Sequence, residues 1–204
     1  MKRLNSILLA CIAALGVVSQ AAAQINISLQ PSPQIIGVGD PASMELVISG
    51  LGNFSSPSLG AFDFDLSYDP AILSAVSLTF GTFLSPGILG SLQFSDLTLA
   101  GLMHLDEVSF ESPTDLNDAQ PDTFTLATLG FTGLAPGISS IDFTFASLSD
   151  EQGQSLIGFS TTSGSIEVAR RPPVPDLGST TSLLLLGIVG LVVFRRCPHA
   201  SKRR

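Results

Sequence analysis

Through its middle the chain alternates apolar and polar residues with a period of two. The clearest stretch is residues 61–68, where Phe62, Phe64, Leu66 and Tyr68 fall on one side and Asp63, Asp65, Ser67 and then Asp69 on the other. This pattern predicts a strand with one face packed and the other in water. Shorter runs predict strands at 25–29, 35–38, 44–49 and 75–80, and further ones near 91–94, 97–103, 107–110 and 164–168. Residues 123–131 form a long strand whose apolar parity shifts from Phe124 and Leu126 to Leu129 and Phe131, which predicts a bulge near Ala127. After a turn, Ile141, Phe143 and Phe145 alternate with Asp142 and Thr144. Gly- and Ser-rich residues 50–57 read as a loop, as does 111–122, which holds Pro113 and Pro121. Asp69-Pro70 opens a tight turn, since Asp caps and Pro fits a first helical position. No stretch of the middle sustains a helical period. Eight to ten short strands predict an all-β domain, an antiparallel β-sandwich or jelly roll, over residues 24–169.

The two ends read differently. Residues 1–23 have the make-up of a secretory signal peptide: Lys2 and Arg3, an apolar core over 7–18, and Ala21 and Ala23 of an A-x-A site before Gln24. A lipoprotein signal ending at Cys11 is the weaker alternative, because it leaves most of the apolar core in the mature protein. At the other end, a Pro-rich linker over 170–182 precedes an apolar run from Leu183 to Phe194 and a basic tail ending in Lys202, Arg203 and Arg204. Twelve residues are short for a hydrocarbon core of roughly 30 Å. Extending the run back to Leu177 just spans it, and the cations behind Phe194 place what precedes it outside. The expectation is a transmembrane segment within 183–204, with an ordinary permanent anchor as the plain alternative.

Charge separates these regions sharply. All nine Lys and Arg lie at positions 2 and 3 or from 170 onward, whereas all of the seventeen Asp and Glu except Asp176 lie between them. The overall net charge of −8 conceals this division. An acidic middle of this kind repels phosphate backbones, which excludes nucleic acid as a partner, and it contains no Lys nucleophile or Arg clamp. The two cysteines, Cys11 and Cys197, fall outside the middle, so its fold must rest on its core without a disulfide.

Candidate chemistry in the middle is sparse. His104 is its only histidine and reads as a strand-surface residue, so neither a multi-His metal site nor a catalytic triad is indicated, and no enzyme is expected. Asp63 and Asp65 are neighbours on one strand face and read as solvated charge. Trp is absent and Tyr68 sits on an apolar face, so the exposed aromatic platform usual for sugar binding is not evident. Calcium is the one cofactor to weigh: Asp115, Asn117, Asp118 and Asp122 offer hard oxygen ligands within 111–122. Their spacing departs from the EF-hand pattern, with Ala119 at a ligand position, and a solvated loop is the plainer reading.

Two resemblances add to this. Val174, Pro175, Asp176, Gly178, Ser179 and Thr180, followed by the apolar run and Arg195-Arg196, resemble the VPDSG-CTERM type of PEP-CTERM sorting signals, with Leu177 where the commoner form has Ser. The resemblance implies recognition of the tail by a membrane-embedded exosortase of Gram-negative bacteria, cleavage near the motif, and delivery to the cell surface or extracellular matrix. Second, Gly39-Asp40, residues 60–73, residues 126–131, Gly137 with the strand after it, and the hairpin at Asp150-Glu151-Gln152-Gly153 resemble a cohesin domain. That implies a sandwich shared with carbohydrate-binding modules, and as partner a dockerin-like protein or a polysaccharide. No individual contact residue is carried over from it. The combined expectation is an exported surface protein with one cohesin-like binding or structural domain. The alternative is a dockerin-type or polysaccharide-binding module permanently anchored in the membrane.

Overall fold

A computed structural model describes residues 24–170. The strands are β1 (Asn26–Gln30), β2 (Gln34–Gly37), β3 (Pro41–Ser49), β4 (Leu59–Ser67), β5 (Leu73–Phe80), β6 (Ser91–Asp96) and β7 (Leu102–Ser109). One helix, α1 (Pro113–Ala119), leads into β8 (Thr123–Gly133), β9 (Gly137–Asp150), β10 (Ser160–Thr162) and β11 (Gly164–Ala169). A five-stranded sheet has the order β10-β1-β3-β8-β5, and a six-stranded sheet the order β2-β11-β9-β4-β7-β6.

All pairings inside the sheets are antiparallel, as the alternation predicts, but two at the edges are parallel: β1 with β10, and β2 with β11. The first two strands and the last two each pass from the five-stranded to the six-stranded sheet, so the beginning and end of the domain run side by side. This corrects the purely antiparallel expectation. Strand β10 was not predicted, because Ser160-Thr161-Thr162 has no apolar alternation, and eleven strands form where eight to ten are expected.

Alternation makes the core. Phe62, Phe64 and Leu66 of β4 pack inward with Met44, Leu46 and Ile48 of β3 and Leu129 and Phe131 of β8. Phe64 is fully buried, stacked on Phe62 at 5.3 Å and edge-on to Phe143 at 5.7 Å. The predicted bulge is present: Leu46 pairs with Ala127 while Val47 pairs with Thr125, leaving Leu126 as the extra residue. Leu126 and Ala127 both face the core, which accounts for the parity shift.

Two expectations fail locally. Residues 111–122 are not a loop. Ser112 caps α1 by accepting from the Asp115 amide, Pro113 fits the first turn, and Leu116 is buried beneath it. Nor do residues 97–103 form a strand, since Gly101 with φ near 87° turns the chain, and β7 starts only at Leu102. The strand expected at 107–110 is the end of β7. The Asp69 turn is as expected, with the Ile72 and Leu73 amides donating to the Asp69 carbonyl and the Ala71 amide to its side chain.

With no Lys or Arg between residues 24 and 169, buried acids take backbone amides as partners. Glu111 Oε1 accepts from the Leu89 and Gly90 amides at 2.9 and 2.8 Å, and Glu151 Oε2 from the Ser58 amide at 3.1 Å. Asp150 Oδ1 accepts from the Gln152 and Gln154 amides. Fully buried Gln120 bridges three segments, accepting from the Leu59 amide and donating to the Leu59 and Phe83 carbonyls. These bonds hold the loops without a cation.

Candidate functional site

The outer face of the six-stranded sheet gathers the chemistry. Strand register lays its side chains out in rows. One row runs Phe145–Asp65–His104–Asp96 across β9, β4, β7 and β6, and the next runs Ser147–Asp63–Asp106–Phe94. Along β7, Leu102 and Val108 stand outward at either end of His104 and Asp106. Four polar groups therefore occupy the middle, edged by exposed apolar side chains, with Phe94 53% and Phe145 48% exposed.

His104 is the hub. Its Nδ1 lies 2.7 Å from Asp65 Oδ1 and 3.7 Å from Asp63 Oδ1, and its Nε2 lies 3.3 Å from Asp106 Oδ2. A neutral imidazole donates from one nitrogen only, so one lone pair would be directed at a carboxylate; the imidazolium donates to both. Burial of the ring opposes protonation, but the hydrogen bonds to Asp65 and Asp106 and the charges of Asp63 and Asp65 outweigh it and raise the His104 pKa. Asp63 is also raised, first by desolvation, against the pull of His104 and with repulsion from Asp106 and Asp65 added. Its Oδ1 is buried and has no hydrogen-bond partner. The Phe94 ring lies 5.6 Å from the His104 ring.

Two shallow hollows flank the cluster. One, of about 200 Å³, is lined by Asp65, Asp96, Leu99, Leu102, Met103, His104 and Thr144. The other, of about 270 Å³, lies between Ala61, Asp63, Asp106, Val108, Ser147 and Ser149. On the inner side of β7, Glu107 is almost fully buried, its Oε1 accepting from Ser91 Oγ at 2.6 Å and Gln93 Nε2 at 2.8 Å while Oε2 has no partner. Desolvation raises its pKa against those two bonds.

His104 is on a strand surface, as expected, but it is not isolated. Asp63 and Asp65 were seen as neighbours in the sequence; their meeting with His104 and Asp106 was not. The signal was present as a second i, i+2 polar pair in β7, but which strand pairs with which cannot be read from alternation. The calcium candidates stay apart from this face. Asp115 lies in the first turn of α1 and accepts from Ser112 Oγ at 2.7 Å, Asn117 and Asp118 follow on the helix, and Asp122 lies beyond it. Among the described residues no group of three or more His, Cys, Asp or Glu is arranged to hold a metal ion. The signal residues Ala21 and Ala23 and all sorting-motif residues, Val174, Pro175, Asp176, Gly178, Ser179, Thr180, Arg195 and Arg196, lie outside the described residues. Gln24 is described and donates through its side chain to the Gly158 carbonyl. Among the described residues no helix is long and apolar enough to cross a membrane.

No protein-family model matches the chain, and no curated protein matches it. Its fold is nevertheless shared with solved structures. The seventh ScaB type I cohesin of Pseudobacteroides cellulosolvens superposes with a TM-score of 0.57 at 18% identity, covering 75% of this chain and 97% of that one. The sixth cohesin of scaffoldin B from Acetivibrio cellulolyticus, solved with a Cel5 dockerin mutant, gives 0.57 at 14%, covering 72% and 99%. A non-cellulosomal cohesin from the archaeon Archaeoglobus fulgidus gives 0.55 at 14%, covering 72% and 92%. The described residues form a cohesin-like β-sandwich.

Proposed function

We propose that this chain is a non-catalytic binding protein of the cell exterior, whose sandwich docks a protein partner on the outer face of the six-stranded sheet. The observation that carries the reading is the exposed apolar border around Asp63, Asp65, His104 and Asp106. Exposed side chains such as Phe94 and Phe145 on a strand face gain by being covered, and a charged centre sets orientation. The A. cellulolyticus neighbour was solved with a dockerin, so a dockerin-like module is the first partner to try. The A. fulgidus cohesin is non-cellulosomal, so the fold is not tied to cellulose-degrading complexes. The test is capture of partners from surface extracts by the wild-type protein and by Phe94→Ser/Phe145→Ser. Selective loss from the variant supports the reading, and equal capture contradicts it.

Delivery follows from the ends of the sequence. The leader over 1–23 exports the chain, the segment within 183–204 holds it in the inner membrane, and an exosortase cuts near Val174 to Thr180 and passes it to the surface. Intact mass decides between this and a permanent anchor. Surface-released protein that lacks everything after about Pro175 or Gly178 supports sorting, whereas a mass that still includes Leu183 to Arg204 contradicts it.

A further inference from the structure

Building on the docking reading above, we infer that the hollow between β6, β7 and β4 is the anchor site for a cationic side chain, arginine or lysine, of the docked protein, and that this cation competes with the proton on His104. The hollow suits a long side chain with a charged end. Leu99, Leu102 and Met103 give it an apolar wall for an alkyl stem, while Asp65 and Asp96, on the two strands flanking β7, place carboxylates on either side. Its volume of about 200 Å³ has room for one such side chain and not for a helix. The sign of the ligand follows from charge. Between residues 24 and 169 His104 is the sole side chain able to carry a positive charge, so the face meets its carboxylates with a proton or with a cation from outside.

The competition is local. Facing the His104 ring are Asp63 and Asp65 from β4, Asp106 from β7 itself, and Asp96 in register on β6. Across β4, strand β9 contributes Phe145 and Ser147 in these rows and no charge. When the ring is protonated it occupies Asp65 and repels a second cation beside it. When the ring is neutral, four carboxylates stand with no internal counter-charge. Binding of a cation therefore strengthens as pH rises through the His104 pKa, and by linkage the bound cation lowers that pKa by an equal factor.

The test titrates n-butylguanidinium, which reproduces an arginine head and stem, into the full chain in detergent with histidine carbon-13 labelling. The His199→Asn variant separates the two histidine signals. The expected result is saturable movement of the His104 signals, affinity at least about threefold tighter at pH 8 than at pH 5.5, and a matching fall of about half a unit in the His104 pKa at saturation. Asp96→Asn weakens the binding about fivefold or more, and neutral 1-pentanol does not reproduce it. Affinity that is independent of pH, unchanged in Asp96→Asn, or equalled by pentanol overturns the inference. Photocrosslinking of a protein from position 94 together with no effect of butylguanidinium on His104 removes the anchor and leaves the docking reading standing. The converse, butylguanidinium bound as expected but no protein crosslinked from position 94, removes the docking reading and with it a protein as the source of the cation.

Discussion

The two outer faces of this sandwich rest on one core yet are made of different residues. On the five-stranded sheet the outward positions of β3, β8 and β5 are largely hydroxyl-bearing, among them Ser43, Thr125, Thr128, Thr132 and Ser77, with Val76 as the one strongly exposed large apolar residue. Glu45 there accepts from Thr125 Oγ1. On the six-stranded sheet Leu92, Phe94, Leu102, Val108 and Phe145 stand exposed around a His–Asp cluster. Alternation and packing require only that the inward residues be apolar; they do not require Phe at an outward position. The short hydroxyl side chains of the first face suit a sheet that meets only water, while the second face keeps apolar area exposed that a partner can cover.

The largest way to break the contrast is to remove what both faces share. Phe64→Ala should cost about 3–5 kcal/mol in urea denaturation, because the ring lies at the centre of the core, and both faces should be lost in one transition. Phe94→Ser, by contrast, should change stability by no more than about 0.5 kcal/mol. Next is the face itself. Phe94→Ser with Phe145→Ser should weaken partner binding at least about tenfold, roughly 1.4 kcal/mol, whereas Thr128→Ala with Thr132→Ala should leave it within about twofold. Binding isotherms with whichever module is captured check both arms.

Proton linkage gives a smaller effect that belongs to the six-stranded sheet. His104 and Glu107 both have raised pKa values in the fold, so each contributes stability that is full below its ordinary value and is lost as pH rises through the raised one. Stability should therefore decline from mildly acidic toward alkaline pH. Glu107→Gln should remove part of that decline, raising stability at pH 8 by on the order of 1 kcal/mol with no gain at pH 4; thermal melts across pH measure it. Smallest is Ser112→Ala, which removes the cap of α1, a helix that belongs to neither sheet. It should cost about 0.5–1 kcal/mol and leave binding unchanged.

Much of this was legible in the sequence, where alternation carried it. Phe62, Phe64 and Leu66 named the buried side of β4, and the parity shift named the bulge at Leu126 and Ala127. What alternation could not supply was pairing between distant strands. Asp63 and Asp65 gave no sign that His104 and Asp106 would lie opposite, because register is fixed by the assembled core and not by either strand. Helix α1 was missed because Pro113, Asp115 and Asn117 look like loop residues, although Ser112 three places before Asp115 is a capping signature. Strand β10 was missed because it borrows its order from β1, pairing Asn26 with Ser160.

We propose that the six-stranded face is the working surface. The direct measurement is photocrosslinking in cells that make the protein, with a benzoylphenylalanine placed at position 94 in one strain and at position 76, on the five-stranded face, in another. A protein adduct from position 94 and none from position 76 is the predicted result. Adducts from position 76 with none from position 94 would contradict the account.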